Sequence, residues 1–253
     1  MFLVFPDPQA IANHLSALFI AKIQAKPNSV FGLATGSTME PIYARFAQQA
    51  REQSLDLSQV TTFNLDEYVG LAADHPQSYN YYMHQHLFDL VGFDEQRLFL
   101  PDGKCADIQE QCERYSQHIR LAGGLDIQLL GVGSNGHIGF NEPNTSFDSR
   151  THVVGLSERT RIDNGRFFEN KDEVPTQAIT MGILDIMEAK EVILVATGEH
   201  KAQVMADYWY SPVSESMPAS ILKQHPRPLI IVDEAAASLL PAQACQPAMA
   251  TAC

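Results

Sequence analysis

Apolar residues along this chain recur at two different spacings, and the two alternate. Helix-like spacing appears over Pro8 to Ile23, with Ile11, Leu15, Leu18 and Phe19 on one side. It returns at Met39, Ile42, Tyr43 and Phe46, over Pro76 to Leu90, over Ala106 to Leu121, and at Ala202, Met205 and Trp209. Between these stretches lie short apolar runs of strand type: Ser29 to Ala34, Val60 to Asn64, Leu125 to Leu130, Gln177 to Met181, Val192 to Ala196 and Leu229 to Val232. Arg97 to Pro101 and Thr151 to Leu156 are weaker candidates. Pro218 to Gln224 reads as a short helix, and Ala235 to Cys253 as a short helix followed by a frayed tail. Strands alternating with helices predict an α/β fold.

Length and composition narrow this further. The 253 residues suit one large domain spanning 1–253, without an internal repeat or a linker-like stretch. No run approaches the roughly 18 apolar residues of a membrane span. Met1 to Phe5 is apolar but lacks a basic leader and stops at Pro6, so it is not read as a signal peptide. A net charge of -13 without a Lys/Arg cluster argues against nucleic acid and anionic membranes as partners. Cys105, Cys112, Cys245 and Cys253 form no C-x-x-C pair, which predicts reduced thiols in a cytoplasmic protein.

The stretch richest in chemistry is Leu125 to Pro143, LDIQLLGVGSNGHIGFNEP. A strand opens into a glycine-rich loop carrying Asn135, His137, Asn141 and Glu142. Ligands in α/β sheets bind at the carboxyl ends of strands, where a histidine and a carboxylate can share a proton task. GVGSNG also fits the G-x-G-x-x-G dinucleotide pattern. That pattern needs a helix starting at its third glycine, whereas Gly136 is followed by Gly139, Asn141 and Pro143. Glycines that let backbone approach a small ligand fit better.

Other strand ends add candidates. Thr35-Gly36-Ser37-Thr38 lies between a strand and a helix, and is either an anion nest at the helix start or a plain turn with a Ser/Thr cap. Val60 to Asn64 runs into Asp66-Glu67. Adjacent residues in extended chain face opposite ways, so one carboxylate could face a crevice while the other pairs inside the fold. Glu158 to Asn170, with Arg159, Arg161 and Arg166, suits a cover over that crevice. Lys201 opens a helix against the dipole preference, which makes sense if an anion sits there. His84 and His86 are two apart on a helix and diverge, so they are no metal pair.

Together, FGLATGST, TFNLDEYVGL, LGVGSNGHIGFNEP, SRT, RIDNGRFF and ITMGI resemble the glucosamine-6-phosphate deaminase family in order and spacing, from about the first strand to Val232. The resemblance implies a single doubly wound, Rossmann-like, mostly parallel sheet with helices on both faces. This is the fold of ribose-5-phosphate isomerases and phosphogluconolactonases. It also implies conversion of glucosamine 6-phosphate and water to fructose 6-phosphate and ammonia, in the breakdown of amino sugars such as N-acetylglucosamine. On this resemblance Asp66 moves a proton from C2 to C1, with Glu67 supporting it. His137 handles the proton of the ring oxygen, and Glu142 orients His137. Asn135 stands where members carry Asp or Asn, which should leave His137 less strongly held as imidazolium. Thr35, Gly36, Ser37, Thr38, Arg166 and Lys201 hold the phosphate.

The residue types suit that chemistry on their own terms. An ordinary aspartate, at about 3.9, is ionised at neutral pH and can act as base, and His titrates near neutrality. No metal or organic cofactor is expected. The expected partner is a small sugar phosphate, and the expected assembly is a monomer or small homo-oligomer. Allosteric members carry an arginine and a lysine just after Ser-Arg-Thr, where this chain has His152 and Val154, so effector activation is not expected. Three alternatives are the same reaction on galactosamine 6-phosphate, a 6-phosphogluconolactonase, and a sugar-phosphate sensor without turnover. Tyr68 and the run Ile138 to Glu142 speak against the lactonase.

Overall fold

The computed structural model describes residues 1–156 and 173–248. In chain order these form β1 (Phe2–Phe5), α1 (Pro8–Ala25), β2 (Val30–Leu33), α2 (Glu40–Glu52), β3 (Thr61–Asn64) and β4 (Asp66–Tyr68). Next come α3 (Tyr79–His86), β5 (Leu98–Phe99), α4 (Ile108–Leu121), β6 (Ile127–Leu130), β7 (His152–Gly155) and β8 (Gln177–Thr180). The chain continues through α5 (Ile183–Met187), β9 (Val192–Ala196), α6 (Ala202–Tyr210), β10 (Pro228–Asp233) and β11 (Cys245–Pro247). Two of the longer helices start at an aspartate that caps them. Asp7 accepts from Ala10 N–H at 2.7 Å ahead of Pro8, and Asp107 accepts from Glu110 N–H at 2.9 Å.

Eight strands make one parallel sheet in the order β11-β1-β10-β9-β6-β2-β3-β5. Strands β2, β3, β6 and β9 are buried along their whole length, as a sheet covered on both faces requires. Each fully buried Ile or Leu in them, Leu129 and Leu130 among them, contributes about 1.5–3 kcal/mol. The loops that leave these strands therefore start from a rigid base. From β2 the chain winds outward through β3 and β5, then returns to the other side of β2 with β6. The order reverses between β2 and β6, and a reversal opens a crevice at the carboxyl ends of those two strands.

Three features depart from the reading of the sequence. Met1 to Phe5 supplies β1, which lies inside the sheet between β10 and β11. Four residues carry no period of their own, and only distant partners define them. The tail contains a 3-10 turn at Ala242–Ala244 and then β11, which pairs with β1, where a short helix and fraying were expected; residues 249–253 lie outside the described residues. Finally, β4, β8 and β7 form a second, antiparallel sheet of three strands. The cover expected over Glu158 to Asn170 lies outside the described residues.

Candidate active site

Four neighbouring strands, β9-β6-β2-β3, deliver their carboxyl ends to one edge of the sheet. From them leave the turn before Lys201, the His137 loop, the Thr35 to Thr38 turn and the segment leading to Asp66. Arg166, expected here too, lies outside the described residues.

The turn after β2 is not capped by a hydroxyl. Met39 is the capping residue of α2, with no side-chain hydrogen bond. Gly36 adopts φ 108, and its carbonyl accepts from Met39 N–H at 2.8 Å and from the Tyr82 hydroxyl at 2.9 Å. Thr35 and Thr38 are half-buried; Gly36 and Ser37 are exposed. Among the described residues the N–H groups of Gly36, Ser37 and Thr38 donate to no protein acceptor, which an anion nest at a helix start would require.

The His137 loop holds its chemistry in a chain of three groups. Asn135 Nδ2 donates to Glu142 Oε2 at 2.7 Å, and a carboxylate can only accept, so the amide nitrogen faces Glu142. The amide oxygen consequently faces His137, where it accepts from the backbone N–H at 3.2 Å and lies 2.7 Å from Nδ1. The proton between them sits on Nδ1, and in the neutral ring Nε2 becomes the basic atom. Glu142 lies 3.8 Å from His137 Nδ1, beyond hydrogen-bond length. Asn135 stands between the two and bonds to both. The ring lies against Gly133, where a Cβ would come within 2.0 Å of His137 Cε1.

Asp66 and Glu67, both buried, separate as their alternation in β4 demands. Glu67 accepts from the N–H groups of Tyr68 (2.8 Å), Tyr79 (3.0 Å) and Asn80 (2.9 Å), which ties β4 to the first turn of α3. Burial still raises its carboxyl, and the three N–H groups pull the other way. Burial, and then the neighbouring Glu67 charge, push Asp66 up to about 8. This corrects the expectation of an ordinary, ionised aspartate, which the sequence could not exceed because desolvation is a property of the fold. Glu67→Ala is expected to destabilise the fold by about 2–4 kcal/mol in urea titration, by leaving three donors unpaired. A loss under 1 kcal/mol would mean that Glu67 is not a structural tie.

Lys201 ends a 3-10 turn and caps α6, and its Nζ donates to Val132 O at 2.7 Å, bridging the ends of β9 and β6. The turn is set by Gly198 at φ 86, whose N–H donates to both oxygens of buried Asp233, at 3.0 and 2.9 Å. Asp233 and Thr180 hold these loops together with Asn141, and the first two were not singled out in the sequence as site residues. A polar side chain at the end of an apolar strand run is the signal that could have found them. One group of potential metal ligands occurs among the described residues, half-buried His84 in the last turn of α3 with exposed Asp89 and Glu95 after it. There His84 simply pairs with Asp89 at 2.8 Å.

Residues 6–230 match the family described as glucosamine-6-phosphate isomerases/6-phosphogluconolactonase. The chain belongs to this family. Within it, the chain is 48% identical over 237 residues to a glucosamine-6-phosphate deaminase of Rhodopirellula baltica, covering 94% of each chain. It is 48% identical over 233 residues to that of a Geobacillus strain, covering 92% of this chain and 93% of the relative. A monomeric glucosamine-6-phosphate deaminase of known structure superposes with a TM-score of 0.92 at 41% identity, covering 94% of this chain and all of the other. The 6-phosphogluconolactonase of Thermotoga maritima reaches 0.73 at 17% identity, over 92% and 99% of the two chains, which is a likeness of fold alone.

Proposed function

We propose that this protein converts glucosamine 6-phosphate and water to fructose 6-phosphate and ammonia. The observation that carries the reading is the contiguous row of strand ends, β9-β6-β2-β3, because the segments carrying Lys201, His137, Thr35 to Thr38 and Asp66 all leave the sheet at that edge. Identity near one half with glucosamine-6-phosphate deaminases supports it.

In this reading the phosphate lies on the Thr35, Gly36, Ser37 and Thr38 turn, with Lys201 and Arg166 as its cations, and its binding positions the distant reacting carbons. His137 Nε2 takes the proton of the C1 hydroxyl and returns it to the ring oxygen as the pyranose opens. Asp66, as carboxylate, removes the C2 proton and delivers it to C1. With one ammonium proton passed to the C1 oxygen, the C2 iminium that results adds water and, on losing ammonia, leaves the C2 ketone. The substrate's own ammonium favours ionised Asp66 once bound. Nothing in this sequence of steps calls for a metal or an organic cofactor.

We take the enzyme to act in amino-sugar breakdown, in the cytoplasm, as a monomer or small homo-oligomer. Three free cysteines among the described residues and the likeness to a monomeric deaminase support this, and no helix among the described residues is long and apolar enough to cross a membrane. His152 Nδ1 lies 2.8 Å from Arg150 O, and Val154 packs on the Tyr68, Phe140 and Leu156 cluster; neither is a permanent cation, which supports the lack of an effector phosphate site. A coupled ammonia assay tests these points together. Ammonia is expected from glucosamine 6-phosphate in preference to galactosamine 6-phosphate. Saturation should be hyperbolic and unchanged by N-acetylglucosamine 6-phosphate. Absence of ammonia from both sugars would refute the reaction, and a sigmoidal curve relieved by the effector would refute the lack of regulation.

A further inference from the structure

We propose that Thr180 is a positioning residue that fixes the His137 loop over Asp66, and that its hydroxyl oxygen does so. The inference rests on the reaction proposed above, in which Asp66 and His137 act on neighbouring atoms of one substrate. The two groups come from different sheets: Asp66 from β4 in the small sheet, His137 from the loop after β6 in the large one. Their separation is therefore a matter of how that loop is fastened to the small sheet.

Thr180 stands at the joint. Its Cα is paired with Asp66 across β4 and β8, and residues directly opposite in an antiparallel pair share a face. Its Oγ1 accepts from the N–H of Phe140, three residues after His137, at 3.1 Å, and lies 3.4 Å from Met181 O as donor. Thr180 is fully buried, and Phe140 nearly so. Between them passes Gly139 at φ 58, so close that a Cβ there would lie 2.9 Å from Thr180 Oγ1 and 3.6 Å from Asp66 Oδ2. The loop main chain thus rests directly on the Asp66–Thr180 pair. Asn141 adds a second fastening, with Nδ2 donating to Ile138 O at 2.8 Å and to Met181 O at 2.9 Å. Losing the Thr180 acceptor leaves the buried Phe140 N–H unpaired, and the loop relieves this by lifting off the small sheet.

The test compares Thr180→Val, which keeps the branched shape and removes the acceptor, with Thr180→Ser, which keeps the acceptor and removes a methyl. A misplacement of about 1 Å costs on the order of 10²-fold, so Thr180→Val should lower kcat about 10- to 100-fold. KM should change little, because the phosphate grip lies on other loops. Thr180→Ser should stay close to the wild-type kcat. Wild-type kcat in Thr180→Val overturns the proposal, and so does Thr180→Ser falling as far as Thr180→Val, since packing would then be the cause. If Thr180→Val does not melt cooperatively, Thr180→Ala takes its place beside Thr180→Ser under the same criterion. Hydrogen exchange at the Phe140 amide reads the contact without substrate: protected in the wild type and Thr180→Ser, fast in Thr180→Val. A wild type that releases no ammonia from either sugar, with Phe140 protection following the acceptor, overturns the reaction while leaving the contact established.

Discussion

Asp66→Asn should keep the fold and substrate binding while lowering kcat by at least about 10²–10⁴-fold, the usual cost of losing a general base. Asn is nearly isosteric and accepts no C2 proton, so deuterium exchange at C2 of bound substrate should vanish with turnover. Near-normal exchange in the variant would move the base to another residue. The position of Asp66 up at about 8 adds a pH signature. In the free enzyme the carboxylate forms only as pH rises through about 8, so kcat/KM should climb towards an acid limb there. The bound ammonium favours the carboxylate, and kcat should show its limb about one to three units lower. Stability follows with a definite sign. The folded form holds a proton that the unfolded chain releases near its ordinary value of 3.8, so wild-type stability falls as pH rises from there through about 8. Asp66→Asn lacks this loss, and its melting temperature relative to wild type should rise across that window. A constant difference would show that Asp66 is not held protonated by the fold.

Lys201→Ala should raise KM for glucosamine 6-phosphate about 10- to 150-fold, since a charged hydrogen bond to phosphate contributes about 1.5–3 kcal/mol. Its use of unphosphorylated glucosamine should be unaffected. Lys201 sits at the start of a helix, where a cation is disfavoured without an anion, on a turn braced by Gly198 and Asp233. The residue also bonds to Val132 O, so a melting curve must accompany the kinetics. Equal loss with both sugars would assign Lys201 to the fold, and an unchanged KM would place the phosphate elsewhere.

Local patterns made much of this legible. The helix-spaced apolar residues over Pro8 to Ile23 and Ala106 to Leu121 located α1 and α4 to within two residues. The apolar runs of β2, β6 and β9 are recognisable because strands buried on both faces carry near-continuous apolar residues, Gln128 of β6 being an exception. The alternation of Asp66 and Glu67 predicted two separate roles, since neighbouring side chains in extended backbone must diverge. Several motifs in family order then pointed to the chemistry.

What depends on distant partners could not be read locally. β1 and β11 are a handful of residues each and exist as strands only because they pair with one another and with β10. Asp66 looks like any acid in sequence, and only the burial produced by the packed fold, with Glu67 beside it, lifts it to about 8. Glu142 and His137 are five residues apart, yet the side-chain geometry puts Asn135 between them. Thr180 lies 40 residues from Phe140, and its bond to that N–H follows from the meeting of two sheets. The residue types at the site were thus determined along the chain, through local period and side-chain chemistry. Their protonation, order of contact and separation were decided by tertiary structure, because desolvation and long-range hydrogen bonds arise only when distant segments pack.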